Sequence, residues 1–392
     1  MKASSKHSST PSSGDPGLFE PLEKLFDESL KRGLFSGASV LMASHEDILF
    51  QRTWGHTRSG GAPIDSNTLF DLASLTKPLI TAALTLSVLS RGILDCDDPL
   101  TRFFPAGSLP GDKKTITLRQ LLNHCSGLPD YRAYYPELIR VSEAQRSSAL
   151  LSRILRECLV APPGSVCLYS DLGFLLLGEI LADTLGKPLD QLASEWILRP
   201  LGIEGLGFRR LKISSDPGER PEMSSEDTAP FAVTEYCRWR GRLLEGEVHD
   251  ENAYCLQGVA GHAGLFGTAR GVFSLLAFLW SVYRGTTHDS SWSCDLLRDF
   301  WTRQDLVPES TWALGFDTPS CGISSAGGLF SSRSVGHLGF TGTSFWLDIE
   351  QNVLVVLLTN RVYPTRENSG IKEFRPLVHN LLMEAFYELS RR

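Results

Sequence analysis

The sequence contains no long run of lysine and arginine, and acidic residues outnumber basic ones. With 38 Lys and Arg against 45 Asp and Glu, the formal net charge is −7. A nucleic-acid-binding protein needs a basic face, so this balance argues against nucleic acid as a partner. Hydrophobic residues make up 42% and charged residues 21% of the 392 positions. Such a chain is too apolar for intrinsic disorder and can bury a substantial core.

Closely spaced cysteine pairs are also missing. The eight cysteines include no C-x-x-C pair, so a zinc cluster is not expected, and we predict neither a metal nor another cofactor. The even number permits disulfides. Free thiols in a reducing compartment are a better fit to cysteines scattered through helix-like and strand-like segments.

The N-terminus lacks the apolar segment of a secretory signal, and no stretch reaches the roughly 18 uninterrupted apolar residues of a membrane span. Residues 1–16 are rich in Ser, Pro and Gly, and we predict a disordered tail there. The longest apolar run, residues 272–283, suits a buried helix, and we predict the segment 264–285 around it as one glycine-bounded helix. Together these absences predict a soluble, cytoplasmic protein without a membrane span.

The order of strand-like and helix-like segments predicts the fold. Residues 37–44 and 48–55 resemble strands, and three more strand-like segments lie between 327 and 360. Helical patterns joined by Pro- and Gly-rich turns dominate the stretch between them. This order predicts an α/β (α+β) fold with a five-stranded antiparallel sheet, whose first two strands pair with its last three, and with helices on both faces. We place the sheet domain in 17–95 and 240–392, around a helical insertion domain in 96–239.

One apolar helix, predicted from 71 to about 92, carries a serine and a lysine three residues apart. On a helix, this spacing puts the side chains of Ser74 and Lys77 on one face. Serine is a weak nucleophile until a neighbour takes its proton, and a lysine of lowered pKa can do so. The alternative is a helix-capping serine beside a solvated lysine.

Two other segments allow both a catalytic and an ordinary interpretation. Tyr169 and Asp171 directly precede an apolar helix, where the tyrosine can relay a proton, or anchor the helix while the aspartate caps it. His337 and Gly339 fall at the start of a predicted strand. Glycine there lets a ligand backbone approach closely, or the segment is an ordinary turn-rich hairpin with one histidine.

Together, the S-x-x-K, Y-x-D and H-L-G elements at Ser74, Tyr169 and His337 resemble the motif set of the serine β-lactamases and penicillin-binding proteins. They are most similar to the branch with class C β-lactamases, D-Ala-D-Ala carboxypeptidases and related esterases. The segments LLNHCSGLPDY (121–131) and GVAGHAGLFGTA (258–269) resemble further parts of that family. The resemblance extends from about residue 18 to 390.

This resemblance implies a mechanism. Ser74 would attack a carbonyl and form an acyl-enzyme, while Lys77 and Tyr169 shuttle the proton. The backbone N–H groups of Ser74 and Phe340 would form the oxyanion hole. Contacts to the substrate, a small molecule or short peptide, would come from Asp171, His337 and Gly339. The resemblance implies no metal or cofactor, and the oligomeric state is left open.

Two positions depart from the family pattern. Asp171 replaces an asparagine; an ionised carboxylate can only accept hydrogen bonds, and it favours a charged Lys77, which weakens lysine as a base. His337 and Leu338 replace the lysine and threonine of K-T-G, and histidine is only partly charged near pH 7. Carboxylate binding would be weaker unless another group, Arg333 or Arg361, supplies it.

These departures favour a small ester, an amide or a D-amino-acid peptide over an antibiotic as the substrate. A catalytically weak protein of the same fold, which binds peptidoglycan-like peptides, is the alternative. An α/β-hydrolase is set aside because no G-x-S-x-G nucleophile elbow is present. The run from 249 to 251 (His-Asp-Glu) invites a metal interpretation, but adjacent loop residues rarely converge on one ion, and we place it at the rim of the substrate cleft.

Overall fold

The computed structural model describes residues 17–45, 47–222, 229–287 and 289–391, so the predicted tail at 1–16 lies outside the described residues. The strands are β1 (Gly37–Ser44), β2 (Asp47–Gly55), β3 (Phe70–Asp71), β4 (Leu206–Phe208), β5 (Tyr236–Cys237), β6 (Arg242–Leu243), β7 (Leu265–Gly267), β8 (Val335–Leu338), β9 (Ser344–Asp348) and β10 (Val353–Thr359). The α-helices are α1 (Glu20–Lys31), α2 (Ala83–Ser90), α3 (Leu118–Leu122), α4 (Tyr135–Leu138), α5 (Arg146–Arg156), α6 (Asp171–Leu185), α7 (Leu189–Ala193), α8 (Glu251–Cys255), α9 (Ala269–Tyr283), α10 (Cys294–Phe300) and α11 (Ile371–Ser390). Short 3-10 turns are Ala73–Leu75, Leu100–Arg102, Gly111–Lys113 and Glu143–Gln145, and π-helical turns are Lys77–Ala82 and Ser194–Leu198.

The main sheet has five antiparallel strands in the order β2-β1-β10-β9-β8. The hairpin of β1 and β2 joins the three C-terminal strands through β1 and β10, where Val40 lies opposite Leu357. The predicted five-stranded antiparallel sheet and its pairing are therefore confirmed. The assignment of residues 96–239 to a separate insertion domain stays a prediction.

Helices cover both faces of this sheet, as predicted. Side chains alternate along a strand, so Val355 and Leu357 of β10 pack with α1 and α11, while Val356 and Leu358 pack on the other side, against α9. Every residue of β10 is buried. A strand that is covered on both faces needs apolar side chains on both, so its sequence is a continuous apolar run such as VLVVLLT.

The helical run that carries the S-x-x-K motif forms part of the core. From Ala73 to Ser90 it is long and apolar enough to cross a membrane, but 89% of it is buried inside the protein. The prediction of one continuous helix is wrong in detail. The run begins as the 3-10 turn Ala73–Leu75 and continues as the π-helical turn Lys77–Ala82 before α2. The tighter first turn holds Ser74, and the wider second turn begins at Lys77.

Two other element predictions need correction. The H-L-G motif lies where β8 ends, because β8 covers only the four residues from Val335 to Leu338. The segment after 264, predicted as one glycine-bounded helix, first forms β7, which pairs with β3 and β4, and only then α9.

The expectation that all cysteines are free is wrong. Cys125 and Cys167 form a disulfide whose Cα atoms lie 4.4 Å apart, and the other six cysteines are free. The bond joins the loop after α3 to the segment that leads into α6. The sequence offered no pairing signal, because the two cysteines are 42 positions apart and belong to no spaced motif.

This disulfide predicts a thiol count. Alkylation of the denatured, unreduced protein should modify six cysteines, and all eight after reduction. Cys167→Ser should lower the free energy of unfolding by about 4 kcal/mol through the loop entropy that the cross-link removes from the unfolded chain. Cys321→Ser, at an exposed free cysteine, is the control and should change little. Eight modified cysteines without reduction would contradict the pairing.

Candidate active site

Ser74 is half-buried and lies in the 3-10 turn that follows β3. The preceding residue, Ala73, has a φ of 47°, in the left-handed region that residues other than glycine seldom adopt. The buried Asp71 carboxylate stabilises this backbone, because it accepts hydrogen bonds from the N–H groups of Ala73 (2.8 Å) and His249 (2.6 Å). An uncommon backbone held by several bonds is frequent at functional sites.

The turn between β8 and β9 clamps the same backbone from the other side. The hydroxyl of Thr341 donates to the carbonyl oxygen of Asp71 at 2.7 Å, and that of Thr343 donates to the carbonyl oxygen of Leu72 at 3.1 Å. A Cβ atom on Gly339 would overlap Thr343 and lie 2.6 Å from the Leu72 carbonyl oxygen. The close approach predicted at this glycine is therefore filled by the protein's own chain.

Lys77 lies beneath Ser74 and is fully buried. Its Nζ atom is 3.1 Å from Ser74 Oγ, 2.7 Å from Asp171 Oδ1 and 3.2 Å from the carbonyl oxygen of His262. Burial by itself lowers the pKa of Lys77, but the charge of Asp171, aided by Tyr169, outweighs burial and leaves the pKa above its ordinary value. At rest Lys77 is therefore an ammonium, in the direction that the sequence predicted.

The start of α6 presents Tyr169 and Asp171. The N-cap of this helix is Ser170, whose hydroxyl accepts a hydrogen bond from the N–H of Gly173 at 3.2 Å, so the alternative of Asp171 as the cap is wrong. His124 supports the segment from behind, because its Nδ1 accepts the Ser170 N–H at 3.1 Å and its ring lies 4.6 Å from that of Tyr169.

The ring of Tyr169 lies beside Lys77, whose Nζ atom is 4.8 Å from the ring centre. Burial raises the pKa of Tyr169 above its ordinary value, although the Lys77 charge pulls the other way. A neutral phenol in this place is suited to give a proton rather than to take one.

His337 is 2% exposed and lies near the end of β8. Burial, with the nearby Lys77 charge, lowers its pKa to about 3, so the ring is neutral at pH 7 and not partly charged as the sequence suggested. Its Nδ1 lies 2.9 Å from the carbonyl oxygen of Leu338. A neutral imidazole cannot replace the cationic lysine of a K-T-G motif.

One cavity of about 790 Å³ contains the predicted site. Its walls include the predicted side chains of Ser74, Tyr169, Asp171, His337 and Phe340, together with Gly339. Lys77 is not part of the cavity wall, but it lies directly below it and is hydrogen-bonded to Ser74. The structure thus brings all the predicted site residues together, while their catalytic, oxyanion and substrate-binding roles stay predictions.

Arg361 also lines the cavity, whereas Arg333 is 61% exposed and faces Glu350 elsewhere. The guanidinium of Arg361 lies 4.4 Å from the centre of the Phe340 ring, and its Nε donates to the Phe340 carbonyl oxygen at 2.8 Å. Within the described ranges, all hydrogen bonds of Arg361 go to backbone carbonyls. Of the two arginines that the sequence suggested, Arg361 is therefore the one placed to bind a substrate carboxylate.

Several further cavity residues were missed, and three of them bear directly on the site. Trp312 stacks 5.3 Å from the Tyr169 ring, and Arg375 donates to the carbonyl oxygens of Gly339 and Thr343. Neither belongs to a motif, so the sequence carried no signal for them. The third residue, Asp71, stands only three positions before the nucleophile, and that nearness was an available signal.

Residues 249–251 line the cavity, in agreement with a place at the cleft rim. Among the described residues, one group could hold a metal by spacing alone: Glu235, Cys237 and Glu251. The guanidinium of Arg366 bonds the carboxylates of both glutamates, so a positive charge already occupies that position. We assign no metal there.

Comparison with known proteins places this arrangement in a family. The profile of the family described as Beta-lactamase matches residues 22–379. The chain belongs to the beta-lactamase family. A protein of Escherichia coli strain K12 named "Putative D-alanyl-D-alanine carboxypeptidase" is 28% identical over 349 residues, which cover 83% of this chain and 79% of that protein. The N-acetylmuramyl-L-alanine amidase of Bacillus subtilis strain 168 is 28% identical over 375 residues, which cover 90% and 84%.

A solved structure shows the same fold. The structure titled "EstCE1, a hydrolase with promiscuous acyltransferase activity" aligns with a TM-score of 0.69 at 22% identity, over 93% of this chain and 98% of that one. The family resemblance seen in the sequence is thus confirmed, and the relatives named here are described as a carboxypeptidase, an amidase and a hydrolase.

The close packing of the β8–β9 turn against the turn that carries Ser74 leaves no room for a side chain at Gly339. Gly339→Ala should destabilise the protein by about 1–3 kcal/mol, because the added methyl overlaps Thr343 and the Leu72 carbonyl. Thermal unfolding measures this loss. The control is Gly328→Ala, where nothing lies within 4 Å of the new atom. Equal stability of the two variants would contradict the described contact.

The ion pair beneath the serine predicts a shift in pH dependence. In Asp171→Asn the charge that raises the pKa of Lys77 is gone while burial remains, so this pKa falls. The limb of the kcat/KM profile that rises with pH should therefore move to lower pH. Asp130→Asn, at a nearby aspartate that is 66% exposed, should leave the profile in place. An unmoved limb in Asp171→Asn would show that Asp171 is not coupled to the base.

Proposed function

We propose that this protein is a serine hydrolase that forms an acyl-enzyme through Ser74 on a small ester, an amide or a D-amino-acid-containing peptide. The observation that carries the proposal is the 3.1 Å contact between Lys77 Nζ and Ser74 Oγ at the floor of the cavity. A buried amine in contact with an accessible hydroxyl matches the pairing of a nucleophile with its base.

The surrounding groups support a proton path. Lys77 must first lose a proton, because it rests as an ammonium; the fraction of neutral Lys77 then takes the proton of Ser74 as the hydroxyl attacks the carbonyl. Tyr169, a neutral phenol beside Lys77, gives a proton to the leaving group and is reprotonated by the Lys77 ammonium, which passes on the proton of Ser74. Water later attacks the acyl-enzyme and frees Ser74. Because Lys77 must be deprotonated first, turnover is expected to be slow at neutral pH and to increase as the pH rises.

An oxyanion hole formed by the backbone N–H groups of Ser74 and Phe340 is supported by the clamp between their two turns. Ser74 and Phe340 both line the cavity, and the hydroxyls of Thr341 and Thr343 lock the two turns to each other. Fixed donors of this kind stabilise a developing negative charge without reorganisation, and each is worth several kcal/mol in comparable sites.

The cavity supports small acyl groups or peptides rather than β-lactam antibiotics. His337 is neutral, so the strand that carries the binding lysine in K-T-G enzymes supplies no charge here. A substrate carboxylate would instead meet Arg361, which lines the cavity and forms no salt bridge in the described part of the chain. The carboxypeptidase and amidase names of the relatives agree with peptide-like substrates.

A protein that binds peptidoglycan-like peptides with little turnover is the second candidate. The raised pKa of Lys77 favours it, since a lysine that is almost entirely protonated at neutral pH is seldom available as a base. A cytoplasmic location remains a prediction for both candidates.

Removal of the nucleophile separates the two candidates. Ser74→Ala should lower kcat for 4-nitrophenyl acetate by at least about a thousandfold, because the nucleophile is lost and the small change leaves the fold intact. The control is Ser59→Ala, at an exposed serine outside the cavity, which should keep full activity. Full activity in Ser74→Ala would refute the acyl-enzyme proposal, and no activity in the wild type would favour the binding protein.

A further inference from the structure

One oxygen of the Asp171 carboxylate has no hydrogen-bond donor among the described residues. Its Oδ1 accepts the hydrogen bond of Lys77, while its Oδ2 accepts none from the described residues. The side chain is 20% exposed and forms part of the cavity wall. A carboxylate oxygen can only accept, so this position calls for a donor.

A second uncommitted acceptor is found on His337. The carbonyl oxygen of Leu338 can only accept, so Nδ1 of His337 carries the proton that bonds it. The ring is neutral, and Nε2 is therefore an unprotonated acceptor. This atom is buried and has no hydrogen-bond partner in the described ranges, although His337 is one of the residues that line the cavity. A buried polar atom without a partner costs stability unless a ligand supplies one.

The two acceptors serve the same reacting centre. Asp171 shares Lys77 with Ser74, and the His337 ring lies 6.1 Å from the Tyr169 ring, which is itself 4.8 Å from Lys77 Nζ. Each also stands where the family pattern has a donor: an asparagine amide in one place and a lysine ammonium in the other. At both positions this protein thus offers a hydrogen-bond acceptor to the substrate where the family pattern offers a donor.

We propose that the substrate presents hydrogen-bond donors, amide N–H or hydroxyl groups, to Asp171 Oδ2 and His337 Nε2. This inference rests on the proposed function and names the substrate class of the same site: acyl groups that carry N–H or O–H next to the scissile carbonyl. Sites built around a specific hydrogen bond strongly reject analogues that lack the matching group.

Two matched pairs of aryl esters test the proposal. The first pair is N-acetylalanyl and N-acetyl-N-methylalanyl 4-nitrophenyl ester, which differ in one N–H. The second is 2-hydroxypropanoyl and 2-methoxypropanoyl 4-nitrophenyl ester, which differ in one O–H. The wild type should lose at least tenfold in kcat/KM when the donor is blocked in one pair, and that pair identifies amide or hydroxyl as the donor. Ratios below threefold in both pairs would overturn the proposal.

Variants assign the acceptors. In Asp171→Asn or His337→Phe, the ratio for the selected pair should fall below about threefold, and it should stay at the wild-type value in the control Asp130→Asn. A ratio cancels any common change in the catalytic machinery. Asp171→Asn is isosteric, which keeps the test open if His337→Phe fails to fold. A wild-type ratio retained by both site variants would contradict the assignment.

Failure of the inference can be told from failure of the proposed function. If 4-nitrophenyl acetate, which has no donor on its acyl group, is hydrolysed while both ratios are near one, only the inference fails. If no ester is hydrolysed, the proposed function fails. Calorimetric binding of N-acetylalanine amide and its N-methyl analogue then tests the donor preference alone, with at least tenfold weaker binding expected for the methylated compound.

Discussion

The ion pair between Lys77 and Asp171 beneath Ser74 is the interaction on which the site depends. It holds the buried amine within 3.1 Å of the serine hydroxyl and gives a charge in the core its compensating partner. The same pair keeps the lysine protonated at rest. The amine is therefore close to the serine hydroxyl but seldom free to accept its proton. An asparagine would leave the amine easier to deprotonate. Under the proposed function, Ser74 is therefore a well-positioned nucleophile and Lys77 is a restrained base.

The fold supplies the other half of this arrangement by bringing distant segments to one cavity. The core helical run contributes Ser74, the N-terminus of α6 contributes Asp171, and the end of β8 contributes His337. Hydroxyls of the β8–β9 turn hold the turn that carries Ser74, and helices cover both faces of the sheet to which β8 and β9 belong. The geometry of the serine thus depends on Thr341 and Thr343, which are not among the residues that line the cavity.

Strand pairing and the placement of the motifs could be predicted because both follow from patterns along the chain. The apolar run of β10 and the spacing of Ser74 and Lys77 are such patterns. The disulfide of Cys125 with Cys167, the left-handed Ala73 and the neutral state of His337 could not be predicted. Each depends on burial or on contacts between segments far apart in sequence. Trp312 was missed for the same reason, since it enters the cavity from a segment without regular structure.

The most direct test of the account is the intact mass of the protein after exposure to a fluorophosphonate, followed by peptide mapping. If Lys77 activates Ser74, one adduct is expected, located on Ser74 and absent from the alanine variant. Labelling should become faster as pH rises and Lys77 loses its proton. An adduct on another residue, or no adduct on folded protein at any pH, would contradict the claim that Lys77 activates Ser74 as a nucleophile.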